Sequence, residues 1–305
     1  ASIFPSELRM QIVELACPSA DVRTNVGRAV RNPTVLLMAN NYRSTLAFLI
    51  HDWLRGEELF ALERYSSHDK TSVDLFMDAS ERLARERFEP YNRAADEQEP
   101  VFDGERVILP DSTYEAVRAH LGSGAISATL PEAFGGLQMP TLFATAAGTM
   151  IGKASNGLAG YAMLTSGNAS LLLAHGTPAQ RRAFAQAELD GRWTGTMCLS
   201  EPHAGSSLSD ITTRAIPDGA AHDQDELGPR YRIFGNKMWI SGGDHEITEN
   251  IVHLVLAKIP GEDGALQPGI KGISLFIVPK HLVDAQGRLN GVRNDVSLAG
   301  LNHKL

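Results

Sequence analysis

WTGTMCLS, residues 193–200, marks the point at which the hydrophobic period of this chain changes. Upstream of Trp193, apolar residues recur every three or four positions, the spacing of one helix face. From Trp193 onward they fall into short β-branched or aromatic blocks bounded by Gly, Pro or Asp: WTGTMCLS, TTRAI, YRIFG, KMWISG, NIVHLVLA and GISLFIVP. The pattern predicts an α+β chain, an all-helical half followed by an antiparallel β-barrel-like half, with the boundary near residue 192. Helices first and strands second is a segregated architecture, not the βαβ alternation of a dinucleotide-binding fold.

Working outward from that boundary, the helical half divides readily. Val73, Phe76, Met77, Ser80, Leu83, Ala84 and Phe88 share a helical face, with Thr71 and Asp74 expected to cap its start and Pro90 to stop it. The acidic stretch NRAADEQEP then reads as a linker. Asp111 opens a second helix that Gly122 closes, and PEAFGGLQMP (131–140) is a turn-rich connection. Leu142–Ser155 and Gly160–His175 read as helices apolar on most sides, and so as interior ones. Thr177 and Pro178 supply an N-cap and a first-turn proline for another helix, closing at Asp190-Gly191. Near the start, SELRMQIVELA has the spacing of a short amphipathic helix. The expected organisation is an extension over 1–70, a helical domain over 71–192 and a β domain over 193–305.

Composition narrows the function classes. At 305 residues, 43% hydrophobic and 21% charged, the chain has the make-up of a globular protein with a sizeable core. A formal net charge of −8 argues against duplex nucleic acid or an anionic membrane as the main partner. The two cysteines, Cys17 and Cys198, match no ligand spacing and suit a reducing cytoplasm. No segment has the length of a membrane span, and the apolar stretches near 35–50 lie too far in for a signal peptide.

Most motif-like strings fail on context. GSGAIS (122–127) is one residue short of the dinucleotide fingerprint and follows a helix where a strand is required. GTMIGKAS (148–155) resembles a phosphate-binding loop, but its glycines are too close together, Ala154 replaces the hydroxyl residue, and it lies mid-helix. His245-Glu246 begins a zinc-protease pattern whose second histidine is missing, so no metal ligand is expected. TMCLSEPHAGSSLSD (196–210) is harder to dismiss. It reads as a surface loop, or as the wall of a polar cofactor pocket: Ser200 offers a hydroxyl, and Ala204, Gly205 and Ser206 permit close approach of a pyrophosphate. Downstream, KMWISGG places Trp239, a flat apolar surface, beside Ser241. Taken one at a time, Ser200 and Ser206 read more readily as turn serines and Trp239 as a core aromatic.

Together and in this order, MCLSEPHAGSSLSDITTRA and YRIFGNKMWISGG resemble the flavin-binding signature of the acyl-CoA dehydrogenase family. PEAFGGLQMP and LLLAHGTPAQRRAF are similar to that family's helical-domain segments. DHEITENIVHLVLA and KGISLFIVPKHLVD resemble its long methylthiopropanoyl-CoA dehydrogenase-like subfamily. The resemblance implies FAD as cofactor, an acyl-CoA substrate, electron-transfer flavoprotein or a similar acceptor, and a homodimer or homotetramer in the full-length form. Carried over by position, Met197 and Leu199 would line the flavin, Ser200 its pyrimidine and N5 side, and Gly205 and Ser206 the pyrophosphate. Trp239, Ile240 and Ser241 would flank N5 and the dimethylbenzene side. Two departures stand out: Ser207 where the family usually has Asp, and His203 where a small residue is common. Glu201 is expected to be structural and Cys198 a small buried residue. The family's catalytic glutamate lies in a C-terminal helical bundle, and the last residues, LAGLNHKL, resemble the late β domain. No catalytic residue is therefore expected in this chain, and an inactive flavin- or acyl-CoA-binding subunit is the alternative reading.

Overall fold

A computed structural model describes the backbone of residues 8–13 and the whole of residues 42–302. Its helical half begins with a helix over 42–47 that widens into a π-helical turn at Phe48–Trp53 (α1). Helix α2 spans Lys70–Leu83 and is capped two residues earlier than the sequence suggests. The Asp69 carboxylate accepts from Ser72 N–H at 2.7 Å while Asp69 N–H donates to the Ser72 hydroxyl, a reciprocal capping box. Pro90 does not end the helix. A π-helical turn at Ala84–Phe88 leads into α3, Glu89–Glu97, with Pro90 in its first turn, where a missing N–H costs nothing. The expected linker NRAADEQEP is thus mostly helical. A short hairpin, β2 (Val101–Phe102) with β3 (Val107–Ile108), precedes α4 (Asp111–Leu121), which Gly122 caps.

Helices α5 (Thr141–Ala154) and α6 (Asn156–His175) are the interior pair. GTMIGKAS lies inside α5 and its C-cap. The last helix, α7, runs from Pro178–Gln180 through a π-turn at Arg181–Ala185 to Gln186–Leu189, opened by the Thr177–Gln180 capping box. Phe88, Met77, Val73, Phe143 and Ile151 form the centre of the helical core.

The sheet half begins at β4 (Trp193–Cys198), followed by β5 (Arg214–Pro217), β6 (Tyr231–Phe234), β7 (Asn236–Lys237), β8 (Asn250–Lys258) and β9 (Ile273–Pro279). The helix-then-strand order is as expected, but the five-stranded sheet is mixed and open, not purely antiparallel and closed. Strands β4 and β8 run parallel, Trp193 opposite Asn250 through Cys198 opposite Val255, while β9 pairs antiparallel with β8 and β6 with β5. The chain between β4 and β8 is long enough for a parallel return, which a tight turn cannot make. Both strands are nearly continuously buried, the signature of a sheet covered on both faces. Strands β10 (His281–Val283) and β11 (Leu289–Arg293) form a separate hairpin, and β12 is Val296–Asn302. Within SELRMQIVELA, expected as a helix, the described residues Leu8–Val13 form a strand, β1, parallel to β12 and to β7. Its alternation of apolar and polar residues fits either period over so few positions.

Helix α6 seats β4. Asn168 Nδ2 donates to Thr196 O (3.1 Å) and Val252 O (2.8 Å), and Gly195 N–H donates to the Thr165 hydroxyl at 3.1 Å. A Cβ on Gly195 would come 2.5 Å from Asn168 Cβ, so only glycine lets the strand lie this close to the helix.

Candidate functional site

The end of β4 is fixed by a buried carboxylate. Glu201 closes a tight turn with Ala204 through two backbone bonds, its N–H to Ala204 O at 2.7 Å and the reverse at 3.0 Å. Its two carboxylate oxygens accept five hydrogen bonds: Thr212 N–H (2.8 Å) and hydroxyl (3.0 Å), Thr213 N–H (3.1 Å) and hydroxyl (2.5 Å), and Lys237 Nζ (2.9 Å). Burial would raise this carboxyl, but the donors from Thr212, Thr213 and Lys237 more than offset it and hold the group at about 2. Glu201 is therefore an ionised anchor, saturated with donors. Burial pulls the Lys237 ammonium below its ordinary range, and the Glu201 carboxylate opposes that shift.

The same lysine orients the peptide that follows β4. Lys237 Nζ donates to Leu199 O at 3.0 Å, and Met238 N–H donates to Ser200 O at 3.0 Å. In a trans peptide the carbonyl and the next N–H point opposite ways, so the Ser200 N–H faces away from Lys237. The Ser200 hydroxyl has no hydrogen-bond partner among the described residues, and it is the nearest atom, at 3.8 Å, to a Cβ built on Gly205. Gly205 and Ser206 are exposed.

After Lys237 the chain leaves the sheet. KMWISG does not continue as the expected strand: Trp239 takes a left-handed backbone at φ 65° with its indole 54% exposed, and Gly242 follows at φ 61°. An aromatic residue in that region is strained by about 1–3 kcal/mol and persists only where its surroundings hold it. Gly242 sits against the α6 ring of Tyr161, which a Cβ would approach to 3.2 Å. Ile240 turns inward to a core cluster with Cys198 and Val255. Met197 packs against the core around Trp193 and Leu254. Burial pushes the Cys198 thiol up to about 12, so it is no nucleophile at neutral pH.

Behind the strand lie two buried histidines. His245 Nδ1 accepts from Ile247 N–H at 3.2 Å, which leaves the proton on Nε2, facing the Thr194 hydroxyl at 3.2 Å. His253 Nδ1 lies 2.7 Å from the Thr196 hydroxyl. Burial, reinforced by nearby Lys280, drives both imidazoles down to about 3, so they are neutral at physiological pH.

A helical half, a β4 end anchored on a Ser-Glu-Pro turn and a left-handed Trp-Ile-Ser segment invite comparison with known proteins. The acyl-CoA dehydrogenase N-terminal domain matches residues 71–192. The 3-methylmercaptopropionyl-CoA dehydrogenase of Ruegeria pomeroyi is 32% identical over 260 residues, 85% of this chain and 42% of that protein. This chain belongs to the acyl-CoA dehydrogenase family. The broad-specificity linear acyl-CoA dehydrogenase of Mycobacterium tuberculosis is 33% identical over 275 residues, 87% of this chain and 42% of that protein. The chain thus spans about two-fifths of the length of these relatives. Among solved structures, butyryl-CoA dehydrogenase from Megasphaera elsdenii superposes with a TM-score of 0.51 at 21% identity, over 68% of this chain and 48% of that one. An acyl-CoA dehydrogenase complexed with FAD from Bacillus anthracis gives 0.54 at 19% identity, over 70% and 32%. At that identity these two likenesses concern the fold.

Within the family frame, the structure links two of the segments singled out from sequence: Leu199 and Ser200 are tied to the 237–241 turn by Lys237 and the Met238 N–H. Ser207 and His203, the two departures, both engage the loop itself. Ser207 Oγ lies 3.1 Å from Ser209 Oγ, and His203 Nε2 3.3 Å from Asp210 O. Sequence reasoning missed Lys237, Thr212 and Thr213. The signal was present: a lysine at the head of the apolar run Met238–Ile240 and a Thr pair ten or so positions after a turn glutamate are what a buried carboxylate requires.

Proposed function

We propose that residues 197–206 and 239–241 hold FAD, and that the chain is the part of an enzyme that presents this flavin for α,β-dehydrogenation of an acyl-CoA thioester. The observation that carries the reading is the double anchoring of Ser200: Lys237 and Met238 claim the carbonyls on either side of its N–H, while its hydroxyl stays unclaimed among the described residues. The residues present suit the group. Ser200 offers an N–H and a hydroxyl to a pyrimidine edge, and Gly205 and Ser206 leave open space for a pyrophosphate. The Trp239 indole is held outward beside them, an aromatic surface for a ring system. The FAD complex of the Bacillus anthracis relative supports the choice of flavin.

When bound, the flavin would accept the β hydrogen as hydride while a base removes the α proton. This chain's own groups serve the oxidised and reduced ring by fixed dipoles: the Ser200 N–H is aimed by the Leu199 carbonyl's bond to Lys237 and needs no rearrangement as charge develops. Glu201 is not the base, because a carboxylate held near 2 by five donors binds a proton too weakly. We assign acyl-CoA as substrate on the relatives' names, and a flavoprotein such as electron-transfer flavoprotein as electron acceptor because a reduced flavin must pass its electrons on. A cytoplasmic homo-oligomer remains part of this proposal. No helix among the described residues is long and apolar enough to cross a membrane.

The test is to titrate the 305-residue chain with FAD, following quenching of flavin fluorescence, beside Ser200→Val. Saturable binding that the variant weakens, with the far-UV spectrum unchanged, is expected. Equal flavin retention by both proteins refutes the role of Ser200.

A further inference from the structure

We propose that Lys280 is a positioning residue for the turn that carries Trp239 and Ser241, acting from the opposite side of the sheet domain through Asp244. The inference rests on the flavin reading for its consequence, but not for its geometry. Between β7 and β8 the chain runs irregularly from Met238 to Glu249, with two left-handed residues, Trp239 and Gly242, near its start. Such a segment has no ladder of its own, so its shape depends on what grips it. Lys237 and Met238 grip its beginning. On the helical side, Arg118 Nε donates to Ile247 O at 2.7 Å and the Tyr161 ring meets His245 edge-on at 5.5 Å.

From the sheet domain the middle is gripped at His245 by the Thr194 hydroxyl, which faces its Nε2 at 3.2 Å, and at both Asp244 and His245 by Lys280. The Lys280 Nζ lies 2.6 Å from Asp244 Oδ1, outside hydrogen-bond alignment, and donates to His245 O at 3.0 Å. Lys280 and Asp244 are 6% and 7% exposed. The next cation, Arg293, stands 3.9 Å from Asp244 and is half-exposed, so it cannot replace Lys280. Lys280 is itself immobile: its N–H donates to Ile251 O (2.8 Å), its carbonyl accepts from Asn294 N–H (2.9 Å), and its neighbour His281 N–H is held by Asn250 Oδ1 (2.8 Å). One rigid lysine therefore fixes two consecutive residues of an otherwise irregular segment, three and four positions after Ser241. Without it a buried carboxylate is left uncompensated, and the cheapest relief is for Asp244 to swing toward water, drawing Ser241 with it.

The experiment compares Lys280→Met, Lys280→Arg and the double variant Asp244→Asn/Lys280→Met with the parent 305-residue chain. Amide hydrogen exchange over 238–249 and FAD affinity are read, with far-UV circular dichroism as the fold control. In Lys280→Met, exchange at 240–247 rises at least about ten-fold while β4, β8 and the helical core stay protected, and FAD binding weakens by about ten-fold or more. Lys280→Arg, which keeps the charge, recovers most of both. The double variant leaves no unpaired buried charge and so remains folded if the single variant does not; it still shows the raised local exchange. Unchanged exchange at 240–247, or a rise spread evenly over the whole sheet domain, overturns the assignment. Absence of FAD binding by the parent chain sinks the flavin reading instead, and the exchange pattern then decides the role of Lys280 by itself.

Discussion

Glu188, in the last turn of α7, is fully buried, and neither of its carboxylate oxygens has a hydrogen-bond partner among the described residues. Burial alone raises its carboxyl well above the ordinary range, so it is a neutral acid in the fold. Its neighbour is Asn168: both side chains crowd the place a Gly195 Cβ would occupy, and Asn168 Oδ1 is likewise without a partner. Both Asn168 N–H groups are committed to Thr196 O and Val252 O, which fixes the amide's orientation. A protonated Glu188 can donate to Oδ1, and an ionised one cannot. In the unfolded chain the same carboxyl titrates near 4.3. Above that pH the folded state holds one more proton than the unfolded state, so stability falls as pH rises, by about 1.4 kcal/mol per unit while the folded carboxyl keeps its proton. Glu188→Gln keeps shape and neutrality without the linkage. Above the ordinary carboxylate range the variant is expected to gain on the parent as pH rises, at up to about 1.4 kcal/mol per unit while the folded carboxyl keeps its proton. Urea midpoints of both proteins across this range give the difference directly, because every other group titrates in both. A difference flat with pH, or one favouring the parent more at pH 7, would show that Glu188 is ionised and paired, and the reasoning fails.

Other expectations follow from the anchors. Glu201→Gln leaves Lys237 buried and uncompensated and is expected to cost about 3–5 kcal/mol by denaturant unfolding; a loss below about 1 kcal/mol means that the pair is replaceable. In the parent, the Glu201 contribution is complete above the ordinary carboxylate range and disappears as pH falls from there toward about 2, visible as acid unfolding that the Gln variant lacks. Gly195→Ala forces β4 away from Asn168 and is predicted to destabilise by several kcal/mol, on the order of a severe core clash. Asp69→Ala removes the α2 cap and costs about 1 kcal/mol, measured the same way. Cys198 is expected to resist thiol reagents in the folded chain and react once urea exposes it; rapid labelling of the native protein contradicts its buried, proton-holding state.

The change of period at Trp193 was readable because the helices before it and the strands after it each bury a continuous face. The Thr177 cap was readable from its Pro178 neighbour, whereas the α2 box lies at Asp69 and Ser72 and not at the similar Thr71 and Asp74. Pro90 misled because a π-turn upstream relocates it to the first turn of the next helix, and no local pattern announces that widening. The pairing of β4 with β8 was hidden for another reason: strand direction is decided by the connection, and fully buried strands carry no alternation to set it. In the site, Ser200, Gly205 and Trp239 stood out by residue type. Their supports did not, because Lys237 and Lys280 act through partners 38 and 35 residues away, and Thr213 through one 12 residues away.

The parallel pairing of β4 with β8 also bears on the order in which this protein can become itself. The core of the helical half joins residues that all precede β4 in the chain, whereas Thr196 meets His253 across 57 positions and Lys237 meets Glu201 across 36. Closing such loops costs entropy before any contact repays it. On a ribosome, the helices can settle while β8 is still unsynthesised, and β4 waits for it with its glutamate unpaired. The sequence around 193–206 thus meets α6 early but waits for its sheet neighbours, and a ligand that recognises it has nothing to bind until Lys237 and β8 arrive.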